Sequence, residues 1–173
     1  MANQIYLDLG SNIEPEHNLP AAIKLLAKLS TLIAVSSVWE TKPLGMPNQP
    51  NFLNAGVLVE TNLGAAQFKR TVIHNIEQAL GRTRSKNKNA PRTIDIDIIL
   101  FNSEIFELDG RQIPNKELVE RSFVAASLAE ISPDYVHPET GQTLQEIAHS
   151  FNLVAGDMLP RPDVSKALAE FIS

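Results

Sequence analysis

Two aspartates, Asp95 and Asp97, stand two residues apart in the run Thr93-Ile94-Asp95-Ile96-Asp97-Ile98-Ile99-Leu100-Phe101. Its β-branched residues predict a strand, where alternate side chains share a face. Both carboxylates then project from one side, while Ile94, Ile96 and Ile98 occupy the other. A rise of about 3.3 Å per residue puts the two Cα atoms about 6.5–7 Å apart. Carboxylates at that spacing can bracket a pair of cations about 3.5–4 Å apart. Two solubilising acids on a wet strand are the competing reading. The near-continuous isoleucines argue against it, because they predict a buried central strand where unpaired acids are costly. A divalent metal site is therefore expected.

The preceding loop supplies the metal's partner. Arg82, Arg84, Lys86, Lys88 and Arg92 place five cations in eleven residues, in a chain whose formal net charge is −5. Asn87, Asn89, Ala90 and Pro91 give this loop no apolar anchor, which predicts a mobile segment. Acids that hold a metal, beside arginines that grip phosphate oxygens, suit a magnesium–polyphosphate complex. A solvated charged loop would be the plainer interpretation if the acids lay elsewhere. No GxxxxGK[ST] loop, GxGxxG fingerprint or protein-kinase signature is present, so ATP chemistry would need another scaffold. His17, His74, His137 and His149 show no metal-ligand spacing and read as surface or capping residues.

Several elements must position these groups. Ile5 to Leu9 alternates into Gly10-Ser11-Asn12, predicting a strand and tight turn. A helix follows over Leu19–Leu29, with Asn18 as N-cap and Pro20 in its first turn. Val35–Glu40 reads as a second strand, the Pro/Gly-rich segment 41–50 as a loop, and Asn54–Thr61 as a third strand antiparallel to the second. The apolar stripe Phe68, Val72, Ile76 and Leu80 predicts a helix over Ala65–Leu80, stopped by Gly81. Thr93–Phe101 is the next strand, with a short one near Ile105 and Phe106. Helices are expected at Ser122–Glu130 and Thr143–His149, and a short one near Val164–Phe171. The order strand, helix, strand, strand, helix, strand predicts an α+β fold with a ferredoxin-like split βαβ core, its mainly antiparallel sheet flanked by helices.

A length of 173 residues is read as one domain, 1–173, with 151–173 a C-terminal extension of unassigned role. Cysteine is absent, which excludes thiolate zinc sites, cysteine nucleophiles and disulfides and fits a reducing cytoplasm. No signal-peptide pattern opens the chain, and no stretch approaches the roughly 20 apolar residues that span a bilayer. The acidic balance argues against nucleic-acid binding.

The ordered motifs Leu9-Gly10-Ser11-Asn12, Thr41-Lys42-Pro43-Leu44-Gly45, Phe52-Leu53-Asn54-Ala55, Gly81-Arg82-Thr83-Arg84 and Pro91-Arg92-Thr93-Ile94-Asp95-Ile96-Asp97 are more specific. Together they resemble the 6-hydroxymethyl-7,8-dihydropterin pyrophosphokinase family of folate biosynthesis, over about Ile5 to His149. The resemblance implies transfer of the β,γ-diphosphate of ATP, the co-substrate, to the pterin hydroxymethyl oxygen, with release of AMP. It implies two Mg²⁺ ions on Asp95 and Asp97, and catalytic roles for Arg82 and Arg92 on the phosphates, Arg82 as part of a closing lid. Glu77, Arg84, Ile98, Lys116 and Arg121 fall at nucleotide-side positions. Gly10, Thr41, Lys42, Leu44, Phe52, Asn54 and Phe123 fall at pterin positions. A flat heterocycle suits an aromatic sandwich, here Phe52 and Phe123, with the Asn54 amide on its polar edge. A monomer with no nucleic-acid or membrane partner is expected.

Some residues depart from the family pattern. Asn115-Lys116 follow Ile113-Pro114 where a His is usual, His74 replaces a glutamine of some members, Asn89 a lid tryptophan, and Lys42 a proline. These departures support a competing reading as a paralogue that binds pterin or nucleotide with little catalysis. A ferredoxin-like RNA-binding module is a third reading, opposed by the missing paired aromatics and the net charge.

Overall fold

A computed structural model describes residues 1–154 and 156–172. The chain opens with β1 (Asn3–Ser11), whose residues from Ile5 onward are all buried. Helix α1 (Pro15–Leu29) begins earlier than its apolar stripe predicts, because Pro15 presets the first turn and Glu14 takes a left-handed conformation at the N-cap. Asn18 is therefore not the cap. Its buried amide instead donates to the Ile13 carbonyl at 2.6 Å. Pro20 lies inside the helix rather than at its start.

The strand expected over Val35–Glu40 is divided into β2 (Thr31–Val35) and β3 (Trp39–Thr41). Side chains service the backbone between them: Ser36 Oγ accepts from Gly56 N at 2.8 Å, and Glu130 accepts from Ser37 N at 3.0 Å. After the Pro-rich loop comes β4 (Phe52–Thr61). The helix expected over Ala65–Leu80 is present as α2 (Ala65–Phe68), a π-helical stretch (Lys69–Ile73) and α3 (His74–Ala79). Gly81 ends it at φ 72°, a conformation open to glycine at little cost.

Strand β5 (Asp95–Phe101) starts two residues later than predicted. It is followed by a hairpin of β6 (Phe106–Leu108) and β7 (Arg111–Ile113), turned through Asp109 and Gly110 at positive φ. Helix α4 (Glu117–Glu120) was not predicted. It runs into α5 (Ser122–Ile131), then α6 (Leu144–His149), where Thr143 and Glu146 form a capping box. The tail adds β8 (Leu159–Pro160), also unpredicted, and α7 (Pro162–Ala169).

The sheet runs β5-β1-β4-β3-β8, with β2 also on β4, and every pairing is antiparallel. Strand β4 is thus inserted between β1 and β2, the split βαβ arrangement expected. One face packs Ile5, Leu7 and Leu9 against α1 and the α2–α3 helix through Leu19, Ile23, Phe68 and Ile76. The other face packs Tyr6, Leu58 and Leu100 against α4–α6 through Leu118, Val124, Leu128 and Leu144. Helix α5 comes so close that a Cβ at Gly56 would lie 3.0 Å from both Ser127 and Leu128. Beyond Tyr6, the second face continues along the strands as polar residues, and the candidate site begins there.

Candidate active site

Strand register brings four positions of β1 and β5 together, with Asp8 opposite Asp97 and Gly10 opposite Asp95. Opposed residues of an antiparallel pair share a face, so Asp8, Asp95, Asp97 and Gly10 look out on one side. Ile96 and Ile98 are buried in the core on the other side, as the alternation predicted.

Asp95 joins two arginines. Its Oδ1 lies 2.5 Å from Arg82 Nη1 and its Oδ2 lies 2.9 Å from Arg92 Nη1. Arg82 Nη1 also donates to Glu77 Oε1 and to the Ile94 carbonyl, both at 3.1 Å. Glu77 in turn accepts from Ile96 N–H at 3.2 Å and holds Arg84 at 3.3 Å. Burial alone would raise the Asp95 carboxyl, but Arg82 and Arg92 outweigh it and hold it below the ordinary value. For Glu77, burial wins over Arg82 and its pKa is raised.

Asp97 lacks such neutralisation. Burial, then the neighbouring Asp95 and Glu117, push its carboxyl up to about 7, opposed by Arg111 at 3.5 Å. Asp8 is more extreme: it is 8 % exposed, and its Oδ1 has no hydrogen-bond partner among the described residues. Burial first, then Asp97 and Glu117, raise it well above a normal aspartate. The sequence did carry a signal for Asp8, an acid interrupting an apolar strand, but Glu117 and Arg111 had none.

These shifts fix a pH dependence. Asp97 binds more protons folded than unfolded between its ordinary value of 3.8 and about 7. Its contribution to stability is therefore complete below the unfolded value and is lost as pH rises through the folded one, with a magnitude of about 4 kcal/mol at most. Asp8 acts in the same sense. In EDTA, the denaturant midpoint is expected to fall between pH 5 and pH 8, and Asp97→Asn to flatten that fall. A midpoint independent of pH in the wild type would refute the assignment.

Among the described residues no three Asp, Glu, His or Cys side chains already converge as a ligand set. Both oxygens of Asp95 are occupied by guanidinium groups instead. The donors nonetheless fit a hard cation: all are carboxyl oxygens, and Arg111 and Arg121 do not offset the burial and like charge that raise Asp97 and Asp8, an imbalance that a divalent cation would relieve.

Next to the acids lies the predicted pterin group. A Cβ on Gly10 would stand 3.2 Å from Asn54 Oδ1 and 3.7 Å from Phe52 Cδ1. The Asn54 amide donates to Thr41 Oγ1 at 2.8 Å and to the Trp39 carbonyl at 3.3 Å, which leaves its oxygen toward Gly10. Arg92 lies 6.0 Å over the Phe52 ring. Phe123, at the start of α5, is half-buried against the second core and makes no ring–ring contact with Phe52 among the described residues. Lys42 and Leu44 are exposed in the Pro-rich loop.

The basic loop has no apolar anchor, as expected, yet it is tied down by polar ones. Asn12 and Ile13 amides donate to the Arg92 carbonyl at 3.1 and 3.2 Å, and Arg92 N donates to Asn12 Oδ1 at 2.9 Å. Gln49 donates to the Asn89 carbonyl at 2.8 Å, joining the two loops beside the site. The Arg92 guanidinium also donates to the Lys88 carbonyl.

On the nucleotide side, Glu77, Arg82 and Arg84 line an open depression of about 330 Å³ together with Lys69, His74, Gln78 and Asp109. A larger depression of about 510 Å³, near Ala65, Arg70 and Phe106, lies apart from these acids. Ile98 cannot use its side chain on a nucleotide, because that side chain is buried. Its main chain is different. Ile94 O and Ile96 N–H face outward to Arg82 and Glu77, so strand alternation points the Ile98 main chain to the same free edge. Lys116 is exposed at the start of α4, and Arg121 pairs with Glu117 at 3.4 Å. Asn115 is buried and accepts from Glu117 N at 3.0 Å, a local turn that leads into α4 where the family pattern has a histidine.

Known proteins resemble this chain in sequence and in fold. The sequence profile of the family described as 7,8-dihydro-6-hydroxymethylpterin-pyrophosphokinase matches residues 6–133. A Bacillus subtilis protein named 2-amino-4-hydroxy-6-hydroxymethyldihydropteridine pyrophosphokinase is 42% identical over 134 residues, covering 76% of this chain and 79% of its own. The Haemophilus influenzae protein of the same name is 36% identical over 149 residues, covering 84% and 91%. Folic acid synthesis protein fol1 of Schizosaccharomyces pombe is 38% identical over 144 residues, 82% of this chain, but the match spans only 19% of that longer protein. The fold is shared with the crystal structure of Plasmodium falciparum HPPK-DHPS wild type with pteroate, at a TM-score of 0.70 and 16% identity over 87% of this chain and 44% of that one. With a profile spanning most of its length and bacterial relatives of similar size, this chain belongs to the 7,8-dihydro-6-hydroxymethylpterin-pyrophosphokinase family and is an enzyme of that class.

Proposed function

We propose that the protein transfers the β,γ-diphosphate of ATP to the hydroxymethyl oxygen of 6-hydroxymethyl-7,8-dihydropterin and releases AMP, in folate biosynthesis. The observation that carries this reading is the position of Asp95. It stands between two arginines on one side and the Gly10–Asn54–Phe52 group on the other. A phosphate-binding half and a heterocycle-binding half thus meet at one carboxylate.

The pterin ring lies against Phe52, with Phe123 as its second wall and the Asn54 oxygen accepting from its polar edge. Arg82 and Arg92 exchange the Asp95 carboxylate for phosphate oxygens, forming charge-assisted bonds that favour the charge growing on departing AMP. Arg84, Lys116 and Arg121 add positive charge on the nucleotide side, and the outward main chain of Ile98 offers a donor and an acceptor to a base. Asp95 and Asp97 would hold Mg²⁺, two ions by the family resemblance, which when bound neutralises phosphate charge and orients the acceptor hydroxyl. The new bond joins the hydroxymethyl oxygen to the β-phosphorus as the bond to the α-phosphate oxygen breaks. The hydroxyl proton passes to Asp97 where a base is required, and from there to solvent. Closure of the basic loop and the Pro-rich loop excludes water that would otherwise hydrolyse ATP.

Absence of cysteine agrees with work in the cytoplasm, and no described helix is long and apolar enough to cross a membrane. We take the active unit to be a monomer of a single domain. Incubation with ATP, Mg²⁺ and the pterin is expected to yield AMP only when the pterin is present. Tight pterin binding without AMP would favour the non-catalytic paralogue instead.

Asn54 provides a narrower test. Asn54→Ala removes the polar-edge contact and frees Thr41, so the pterin KM is expected to rise about tenfold or more, the cost of a lost buried hydrogen bond. The KM for ATP should stay within about twofold. Equal changes in both would move Asn54 out of the pterin site.

A further inference from the structure

Residues 156–172 lie beyond the matched family profile, which ends at residue 133, yet Leu159 and Pro160 join the sheet through β3, the strand that carries Thr41. Strand β3 has only three residues, the short end of the usual strand length. It is enclosed by β4 on one side and by β8 on the other, with Trp39 opposite Pro160 and Glu40 opposite Leu159. The pairing continues past β8: Arg161 N–H donates to the Val38 carbonyl at 2.9 Å, and Val38 N–H donates to Ser165 Oγ at 2.8 Å. The Arg161 guanidinium bonds Glu40 Oε1 at 2.9 Å and is itself held by Asp163, also at 2.9 Å. Val164 and Leu168 of α7 are buried in the main core, so this end of the chain is anchored from both sides.

What β3 presents to the site makes this contact consequential. The Trp39 carbonyl and the Thr41 hydroxyl are the two acceptors that orient the Asn54 amide. Both belong to the strand that the tail encloses.

We propose that the C-terminal segment is a positioning element for the pterin site, clamping β3 so that Trp39 and Thr41 hold Asn54 with its oxygen toward the ligand. This rests on the functional reading above. Arg161 and Ser165 act through β3 and touch no substrate.

Linkage makes the inference testable in both directions, because a tail that favours pterin binding must itself be favoured by pterin, by the same factor. In the intact wild-type protein, saturating pterin should slow hydrogen exchange at the Val38 and Arg161 amides about tenfold, whereas a non-hydrolysable ATP analogue alone should not. The full-length double variant Arg161→Ala/Ser165→Ala should bind pterin about tenfold more weakly and the ATP analogue within twofold of wild type. If this variant fails to fold, Ser165→Ala alone and the wild-type exchange data decide the question. Unchanged exchange on pterin addition, or equal weakening of both ligands, overturns the clamp. A wild-type protein that binds the ATP analogue but no pterin defeats the proposed function itself, a result distinct from either.

Discussion

Replacing Asp95 or Asp97 with alanine is expected to lower pterin-dependent AMP formation by about a thousandfold or more, since each change removes several kcal/mol of charge stabilisation at the reacting phosphates. The two variants should differ in stability, and that difference is specific to this site. Asp95 satisfies Arg82 and Arg92, so its loss leaves two guanidinium groups short of a partner and should cost about 1–3 kcal/mol. Asp97 instead is desolvated beside Asp95 and Glu117, and burial first, then those two charges, push its pKa up to about 7. Asp97→Asn should therefore be at least as stable as wild type at pH 8 without divalent cation, although it is inactive. Kinetics and denaturant melts on the two variants provide the check. An active Asp97→Asn enzyme would remove this carboxylate from the mechanism.

Arg82→Ala has the second large expected effect. The Arg82 side chain is 14% exposed and neutralises both Glu77, 7% exposed, and Asp95. Without it the buried Glu77 and the half-buried Asp95 face each other with Arg84 and Arg92 as their remaining ion-pair partners among the described residues. Removing one member of a buried ion pair typically costs about 3–5 kcal/mol. Activity should fall by a further factor of about 10²–10³, the usual loss when one electrostatic donor to a transition state is removed. Arg84→Ala is the matched control. Its side chain is 70% exposed, so its loss should shift stability by less than about 1 kcal/mol. Comparable destabilisation by the two substitutions would show that the Arg82 network does not support the fold.

Period and spacing made much of this legible in the sequence. The alternation of Asp95 and Asp97 with isoleucines gave their common face, and the strand–helix order gave the sheet topology. Boundaries failed where side chains substitute for backbone partners. Ser36 and Glu130 interrupt the run read as one strand, and Asn115 starts a helix in a segment with no helical period. Asp8 was overlooked because its importance comes from register, which places it opposite Asp97 on a strand 89 residues away in sequence. The clamp on β3 was equally hidden, since a two-residue strand carries no periodicity at all.

The cluster also has a simple electrostatic logic. Arg82 and Arg92 act as the cations of Asp95, while burial and neighbouring acids leave Asp8 and Asp97 with raised pKa values. In the proposed mechanism, arriving phosphates would draw the arginines away and leave a carboxylate pair suited to a divalent ion. Substrate and metal would then bind with positive cooperativity, each relieving a charge imbalance left by the other.

The identity of the phosphorus products distinguishes attack at the β-phosphorus from attack at the γ-phosphorus. Phosphorus NMR of a reaction containing ATP, Mg²⁺ and 6-hydroxymethyl-7,8-dihydropterin should show AMP and a pterin diphosphate appearing in equal amounts, with no ADP. Formation of ADP with a pterin monophosphate, or release of phosphate or diphosphate without a pterin ester, would contradict attack at the β-phosphorus and the account built on it.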